Sequence, residues 1–143
     1  MRFLKLPVIS ILFFLASILA VNAQNLTPAQ KEYEKNKVQI FTVNERDNLL
    51  NWFTDRSKLM GLSEDKEDEY SGILIFYFVK MGRLDDKDQG NSKEEILQKM
   101  DILLKKQDVE IKALLPEDEY DIHQNNYDEF IKIIKKRIIE TDL

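Results

Sequence analysis

The side chains that most often carry out chemistry in proteins are scarce in this chain of 143 residues, which has one histidine, His123, and no cysteine. Zinc and copper sites usually draw on several His or Cys ligands. His123 with the nearby Asp121 would therefore make at most a weak site between subunits. We expect His123 to lie on a helix surface or to be partly packed, and we expect no metal and no cofactor.

Motifs for nucleophilic or ATP-driven catalysis are also missing. A catalytic triad would need a serine nucleophile beside His123, and the sequence has no G-x-S-x-G turn. It has no G-x-x-x-x-G-K-[ST] loop to bind nucleotide phosphates. The many carboxylates alternate with lysines, as they do on solvated helix faces. The sequence therefore predicts no catalytic residue and no enzymatic activity.

An acidic segment from Asp85 to Asn91 invites comparison with a calcium-binding loop. With Gly90 as the loop glycine, positions three and five would be Lys87 and Gln89, and position twelve would be Ile96. A calcium loop needs a bidentate glutamate at position twelve. We therefore expect a solvated polar loop followed by a helix cap.

The first 23 residues have the three-part pattern of a secretory signal peptide. Arg2 and Lys5 form a basic start, an apolar run extends from Pro7 to Val21, and small residues end at Ala23. The apolar run holds 15 residues, which is short for the roughly 20 that a bilayer-spanning helix needs. The pattern predicts cleavage after Ala23 and export to the periplasm, or secretion where there is no outer membrane. An uncleaved anchor is the alternative.

Cleavage would leave residues 24–143, which we expect to form a single helical domain with no stable membrane span. The removed segment holds two of the 21 basic residues and none of the 26 acidic ones, so the mature chain carries 19 basic and 26 acidic residues and a formal charge of −7. Binding to nucleic acid depends on basic patches, so an acidic surface argues against a nucleic-acid partner.

The mature chain favours an all-α fold of four to five amphipathic helices with a long helical hairpin. Only four glycines and three prolines occur in the whole sequence, and capping boxes occur at Thr27–Gln30 and Ser92–Glu95. The predicted helices run from Pro28 to about Val38, from Glu45 to Met60 with Gly61 as C-cap, from Ser63 to about Leu84, from Ser92 to about Leu115, and from Pro116 to near the C-terminus.

Two apolar segments leave the choice between helix and strand open, namely Val38–Val43 and Ile73–Val79. The second segment is apolar on every face, and periodicity does not distinguish a buried helix from a buried strand. A helix is favoured because the segment continues a capped, charged helix start. The alternative is a strand that pairs with Val38–Val43.

Large apolar side chains are concentrated in the same segment, at Ile73, Phe76, Tyr77, Phe78 and Val79. A helix that is apolar on all faces cannot be fully covered in a thin layer of helices. We therefore expect either a second subunit to cover this surface or a partner to bind it.

Two segments carry a family resemblance. The stretch "IKALLPEDEYDIH", with Leu114, Pro116 and Tyr120, resembles the C-terminal motif of the Spy/CpxP-like (LTXXQ-motif) periplasmic proteins. The stretch "GLSEDKEDEY", with Leu62 and Ser63, is similar to an earlier copy of that motif. Two long helical segments separate the copies, as in that family, and the resemblance covers a little over half of the chain.

The resemblance implies a helical cradle formed by an antiparallel dimer. It also implies an ATP-independent chaperone or an envelope-stress protein that binds unfolded clients through apolar side chains beside charged ones. The partners would be unfolded or envelope proteins and a second copy of the chain. The alternative is a non-catalytic structural or regulatory module that binds one specific envelope partner.

Overall fold

The structure, a computed structural model, describes residues 26–141. Within this range the chain contains helices and no strand, which confirms the predicted all-α fold. The predicted signal segment lies outside the described residues. The five α-helices of the described range are α1 (Pro28–Asn36), α2 (Val43–Ser57), α3 (Glu64–Met81), α4 (Lys93–Leu114) and α5 (Glu117–Glu140), and a 3₁₀ turn (Lys58–Met60) follows α2.

The chain divides into two compact units between Lys35 and Asn36. In the first unit, α1 begins with the predicted capping box. The Gln30 backbone N–H donates to Thr27 Oγ1 at 3.2 Å, and the Thr27 N–H donates to Gln30 Oε1 at 2.8 Å. No residue of α1 is buried. The single domain proposed for residues 24–143 stays a prediction.

The segment that follows α1 is neither helix nor strand. The first helix ends at Asn36 rather than near Val38, and residues 37–42 form an irregular connection. Thr42 then caps α2 in a capping box with Glu45, so α2 begins at Val43, two residues before the predicted start. The strand pairing of Val38–Val43 with Ile73–Val79 is therefore wrong, because the β-branched residues serve a turn between two helices.

The remaining helix ends follow local sequence signals closely. Gly61 ends the 3₁₀ turn with a left-handed φ of 65°, a conformation that glycine adopts without steric cost. Ser63 precedes α3, but its side chain makes no capping hydrogen bond. Ser92 and Glu95 form the predicted capping box of α4. Pro116 lies one position before α5, where it serves as the N-cap.

Helices α4 and α5 form the predicted long hairpin, joined only by Leu115 and Pro116. Polar side-chain contacts between the two helices join residues early in one helix to residues late in the other. The helices are therefore antiparallel. Tyr120 on α5 bonds Asp108 on α4, and Lys135 reaches Asp101 at 2.5 Å.

The core of the second unit is assembled from one face of each helix from α2 to α5. Helix α3 packs extensively along α4, while α2 packs against α5. Helix α2 is also tied to α5 by a 2.7 Å contact between Glu45 Oε1 and Arg137 Nη2. The buried apolar residues are Phe53, Met60, Tyr70, Leu74, Tyr77, Ile96, Met100, Ile111, Leu115, Tyr127, Phe130, Ile131 and Ile138.

Two isoleucines of α4 test this packing. Ile111 is fully buried, whereas Ile102 is 54% exposed. Because truncation of a buried isoleucine removes apolar contacts and leaves a cavity, Ile111→Ala should lower the free energy of unfolding by about 2–5 kcal/mol. Ile102→Ala should change it by about 0.5 kcal/mol or less. Urea unfolding followed by circular dichroism measures both, and equal losses would contradict the assigned helix face.

Candidate binding surfaces and a buried polar cluster

The apolar segment predicted to be a binding or dimer surface lies within α3 and divides between two faces. Tyr77 is buried, at 4% exposure, and Ile73 and Phe78 are half-buried against the core. Phe76 and Val79 point outward, with 51% and 59% exposure. We call these two side chains the outer α3 face. The expected surface is therefore smaller than the sequence suggests, because the fold covers most of the segment.

The outer α3 face has charged and open surroundings. Lys80 Nζ lies 4.1 Å from the centre of the Phe76 ring, within the range of a cation–π interaction. Gly72, four residues before Phe76 and thus on the same side of the helix, has open space where a Cβ would project. A partner could therefore approach the helix closely beside the exposed ring.

The two motif copies, which the sequence places far apart, lie side by side in the fold. Lys66 from the first copy and Glu119 from the second are 3.5 Å apart. Four residues further along each helix, the Tyr70 hydroxyl and His123 Nδ1 form a 2.9 Å hydrogen bond. The helix starts that carry the motifs therefore run in parallel through this region.

The motif residues named from the sequence lie at or near helix ends. Leu62 and Leu114 are partly buried and pack against the core, and Tyr120 is half-buried. Ser63 and Pro116 are the exposed N-caps of α3 and α5. These residues lie at or near the ends of helices α3, α4 and α5.

His123 is buried, with 2% exposure, which corrects the expectation of a surface or partly packed side chain. Its ring stacks on Tyr127 with centroids 4.9 Å apart and meets Tyr70 edge-on at 5.5 Å. The sequence contains a signal for this burial, because steps of three or four residues place side chains on one helix face. Such steps separate Tyr120, His123, Tyr127 and Phe130. The prediction from the sequence left His123 out of the buried face because only the conventional apolar residues were assigned to it.

Burial lowers the pKa of His123 to about 4, against the smaller opposing influence of Asp108 and Asp128. The imidazole is therefore neutral near pH 7. Burial also raises the pKa of the Tyr70 and Tyr127 hydroxyls, which stay protonated. Burial first, and then the hydrogen bond to Asp108, raises the pKa of Tyr120 to about 12. The buried polar cluster, formed by Tyr70, Tyr120, His123 and Tyr127, is thus made of neutral rings. Its tyrosine hydroxyls remain hydrogen-bond donors.

A second set of polar contacts extends this cluster along α4. The Tyr127 hydroxyl donates to Gln107 Oε1, while the buried Gln107 Nε2 has no hydrogen-bond partner among residues 26–141. Asp108 Oδ1 accepts from the Tyr120 hydroxyl and from Gln124 Nε2, both at 2.6 Å. Most polar groups here are satisfied, and the Gln107 amide nitrogen is the exception.

These side chains line a cleft of about 240 Å³ between α4 and α5, here called the α4–α5 cleft. Gln107, His123 and Tyr127 are its buried polar residues, and Leu104 and Ile131 supply its apolar wall. Its charged and remaining polar lining residues are Lys105, Asp108, Gln124, Asp128 and Lys135. The sequence contains no recognisable motif for this cleft, because its residues come from two helices.

The acidic loop also differs from expectation at one residue. Asp86 is 2% exposed, and its Oδ2 accepts a hydrogen bond from Arg83 Nε at 3.1 Å. Burial, and then the neighbouring Asp86 charge, raises the pKa of Asp85 to about 6. The loop is therefore partly packed into the fold rather than wholly solvated. Within the described residues, no three His, Cys, Asp or Glu side chains are grouped to hold a metal ion.

Comparison with known proteins finds no match to this chain among family models, curated proteins or solved structures. The resemblance to the Spy/CpxP-like proteins therefore stays an expectation from the two motif segments. Of the helices described between residues 26 and 141, none combines the length and apolarity needed to cross a membrane.

The single histidine makes the polar cluster testable by pH. We expect the ring signals of His123 in NMR spectra to titrate near pH 4 in the folded protein and near 6.5 after unfolding. Because the folded pKa is the lower one, the unfolded state binds more protons between these values. The contribution to stability is complete above pH 6.5 and is lost as the pH falls through 4. The shift corresponds to about 3 kcal/mol.

The variant His123→Gln serves as the comparison, since it retains a polar side chain without this titration. Asp85 titrates in the same range with the opposite sign, because a raised pKa stabilises the fold at low pH. The pH dependence of unfolding should therefore be compared between the two proteins and not judged from the wild type alone. A His123 pKa of 6.5 in the folded protein would contradict the buried placement.

Proposed function

We propose that this chain is an exported, non-catalytic helical protein that binds apolar segments of unfolded or envelope proteins in a chaperone-like manner, without ATP. Binding would use the outer α3 face, and the protein would act in the periplasm. A second copy of the chain is the other partner that the family resemblance implies for this region.

The observation that carries the proposal is the exposure of Phe76 and Val79 next to Lys80. Both large side chains remain open to solvent in the single chain, although the rest of their segment is largely covered. Burial of an exposed Val or Phe side chain is worth about 1.5–3 kcal/mol, which gives a client a reason to bind. The lysine beside the ring suits client segments in which acidic residues flank apolar ones.

The sequence resemblance to the Spy/CpxP-like proteins supports the same proposal independently of the exposed side chains. It connects the motif copies at Leu62 and Leu114 with proteins that hold unfolded clients on helical surfaces. The signal-peptide pattern of residues 1–23 supports export. The absence of a recognised catalytic motif from the sequence supports binding over enzymatic activity.

A module for one specific envelope partner is the second candidate. The small extent of the outer α3 face favours it, because general client binding benefits from a broad apolar surface, whereas two anchor side chains are enough to centre a specific interface. A pull-down that returns one stoichiometric partner, together with no effect on unrelated unfolding proteins, would support this candidate over the first.

Export predicts a defined N-terminus. Protein recovered from a producing bacterium should have the mass of a chain that begins at Gln24, because small residues at positions 21 and 23 suit a signal peptidase. Ala23→Arg should block processing and retain the full chain at the membrane. Mass spectrometry and cell fractionation measure both results. Wild-type protein that keeps residues 1–23 would support the anchor reading and contradict cleavage.

If the outer α3 face binds clients, a double variant that replaces both of its side chains should lose the suppression of client aggregation. At an equimolar ratio the wild type should suppress light scattering by an unfolding client, and Phe76→Ser with Val79→Ser should remove most of that effect. Each change should weaken client binding by about tenfold or more, because the lost apolar burial is worth over 1.4 kcal/mol per side chain. Val109→Ser on α4 is the matched control, since Val109 is 68% exposed outside this face.

Two outcomes would count against the chaperone-like proposal. If the wild type leaves aggregation unchanged, the proposal loses its support. If Val109→Ser is as damaging as the paired variant, exposed apolar surface in general is responsible and the outer α3 face is not. Circular dichroism of each variant establishes that the helices are intact.

A further inference from the structure

The exposed side of α3 continues from the outer α3 face toward the start of the helix. Steps of three or four residues place side chains on one helix face. The exposed residues that follow one another at such steps from turn to turn are Asp65, Asp68, Glu69, Gly72, Phe76 and Val79. The same face therefore has an apolar part and an acidic part. We call Asp65, Asp68 and Glu69 the acidic end of α3.

The acidic end of α3 has no basic partner in the described fold. Lys66, the one lysine in the first two turns of the helix, lies 3.5 Å from Glu119 of α5. Asp65, Asp68 and Glu69 are exposed, and their carboxylates form no ion pair within residues 26–141. The described chain therefore leaves the negative charge of this surface without a partner.

The helix dipole accounts for only part of this charge. A carboxylate stabilises a helix in its first turn, where Asp65 lies, and the effect decays beyond that turn. Asp68 and Glu69 lie in the second turn. Like charges three or four residues apart destabilise a helix, so Asp65 repels both of them. A basic partner would relieve this repulsion.

The opposite charge lies at the other end of the same face. Lys80 is exposed, and its Nζ lies 4.1 Å from the centre of the Phe76 ring. A segment bound along α3 would therefore meet negative charge first, then Phe76 and Val79, and then one positive charge. Charge complementarity of this kind selects partners and orients them. Basic residues of a client would lie at the start of α3, and an acidic residue would lie near Lys80.

Helix geometry determines the spacing that a client must match. Glu69 and Asp65 lie seven and eleven residues before Phe76. At a rise of 1.5 Å per residue, these steps correspond to about 10–17 Å along the helix. An extended chain covers this distance in about three to five residues. Gly72 lies between the two parts, and the open space where its Cβ would project lets an extended chain pass close to the helix.

We propose that the outer α3 face and the acidic end of α3 together bind unfolded segments that carry basic residues about three to five positions from an apolar anchor. The inference rests on the proposed client binding and names the class of client. The anchor packs on Phe76 and Val79, while Lys or Arg side chains of the client pair with Asp65, Asp68 and Glu69.

The test measures the binding of labelled peptides to the purified protein by fluorescence anisotropy. The lysine peptide carries a lysine pair, a spacer of about four Gly or Ser residues and a phenylalanine–leucine anchor. The glutamine peptide replaces the lysine pair with neutral side chains, and the serine peptide replaces the anchor. The lysine peptide should bind about fivefold more tightly than the glutamine peptide, because each exposed ion pair adds modestly to affinity. About 1 M salt should remove this preference by screening.

Two triple variants with the same change of charge locate the basic part of the client. The test variant neutralises the acidic end of α3 by Asp65→Asn, Asp68→Asn and Glu69→Gln. The control variant neutralises as many exposed carboxylates on α4 and α5 by Glu94→Gln, Asp121→Asn and Asp128→Asn. The test variant should lose the preference for the lysine peptide and bind the glutamine peptide as before. The control variant should keep the preference.

Three results would overturn the proposal. Equal affinity of the wild type for the lysine and glutamine peptides would show that charge does not select the client. Loss of the preference in both triple variants would show a general effect of protein charge. Undiminished binding of the serine peptide would show a site for cations that needs no apolar anchor.

A separate variant distinguishes failure of this inference from failure of the proposed function. Phe76→Ser with Val79→Ser should weaken binding of both the lysine and the glutamine peptides, since both carry the anchor. Unchanged affinity for the glutamine peptide would contradict client binding at the outer α3 face itself. Weakened binding of both peptides, together with equal affinity of the wild type for them, would leave the proposed function supported and overturn only the preference for basic clients.

Discussion

The rings of Tyr127 and Phe130 on α5 lie where α2 and α3 both reach that helix. Phe53 from α2 packs against Phe130 with centroids 5.0 Å apart, and Phe78 from α3 packs against the same ring at 5.3 Å. Such aromatic pairs add about 0.5–1.5 kcal/mol to the free energy gained from burial. The chain has no cysteine and so forms no disulfide. These shared aromatic contacts therefore stabilise the packing of α2, α3 and α5 against one another.

The aromatic contacts continue into polar ones along the same face of α5. His123 and Tyr127 stack on each other, and each makes a hydrogen bond to a different neighbouring helix, through Tyr70 on α3 and Gln107 on α4. Apolar contacts tolerate sliding of one helix on another, whereas a buried hydrogen bond is lost when the register shifts. The polar cluster therefore defines how far along α5 the other two helices sit. Within the described residues, the buried Gln107 amide nitrogen is the donor of this cluster that has no partner.

Local signals in the sequence were enough for most helix boundaries. The capping boxes at Thr27 and Ser92, the left-handed Gly61 and the break at Pro116 depend on interactions within a few residues, so they are readable without a fold. The strand alternative for Ile73–Val79 could not be dismissed from the sequence, because a fully apolar run has no period. The structure places this run in a helix, where the Tyr77 hydroxyl donates to Glu110 of α4 and Phe78 packs against Phe130 of α5.

The sequence by itself determined the helical class, the hairpin of α4 and α5 and most of the positions that begin and end helices, because these follow from composition, spacing and caps. Only the tertiary structure decided which members of the apolar α3 segment remain exposed, and it decided that His123 and Asp86 are buried. It also brought Gln107 and Asp108 to the same cleft as His123 and Asp128. These outcomes depend on which helix faces meet, and that choice arises from packing between residues distant in the chain, which no local pattern encodes.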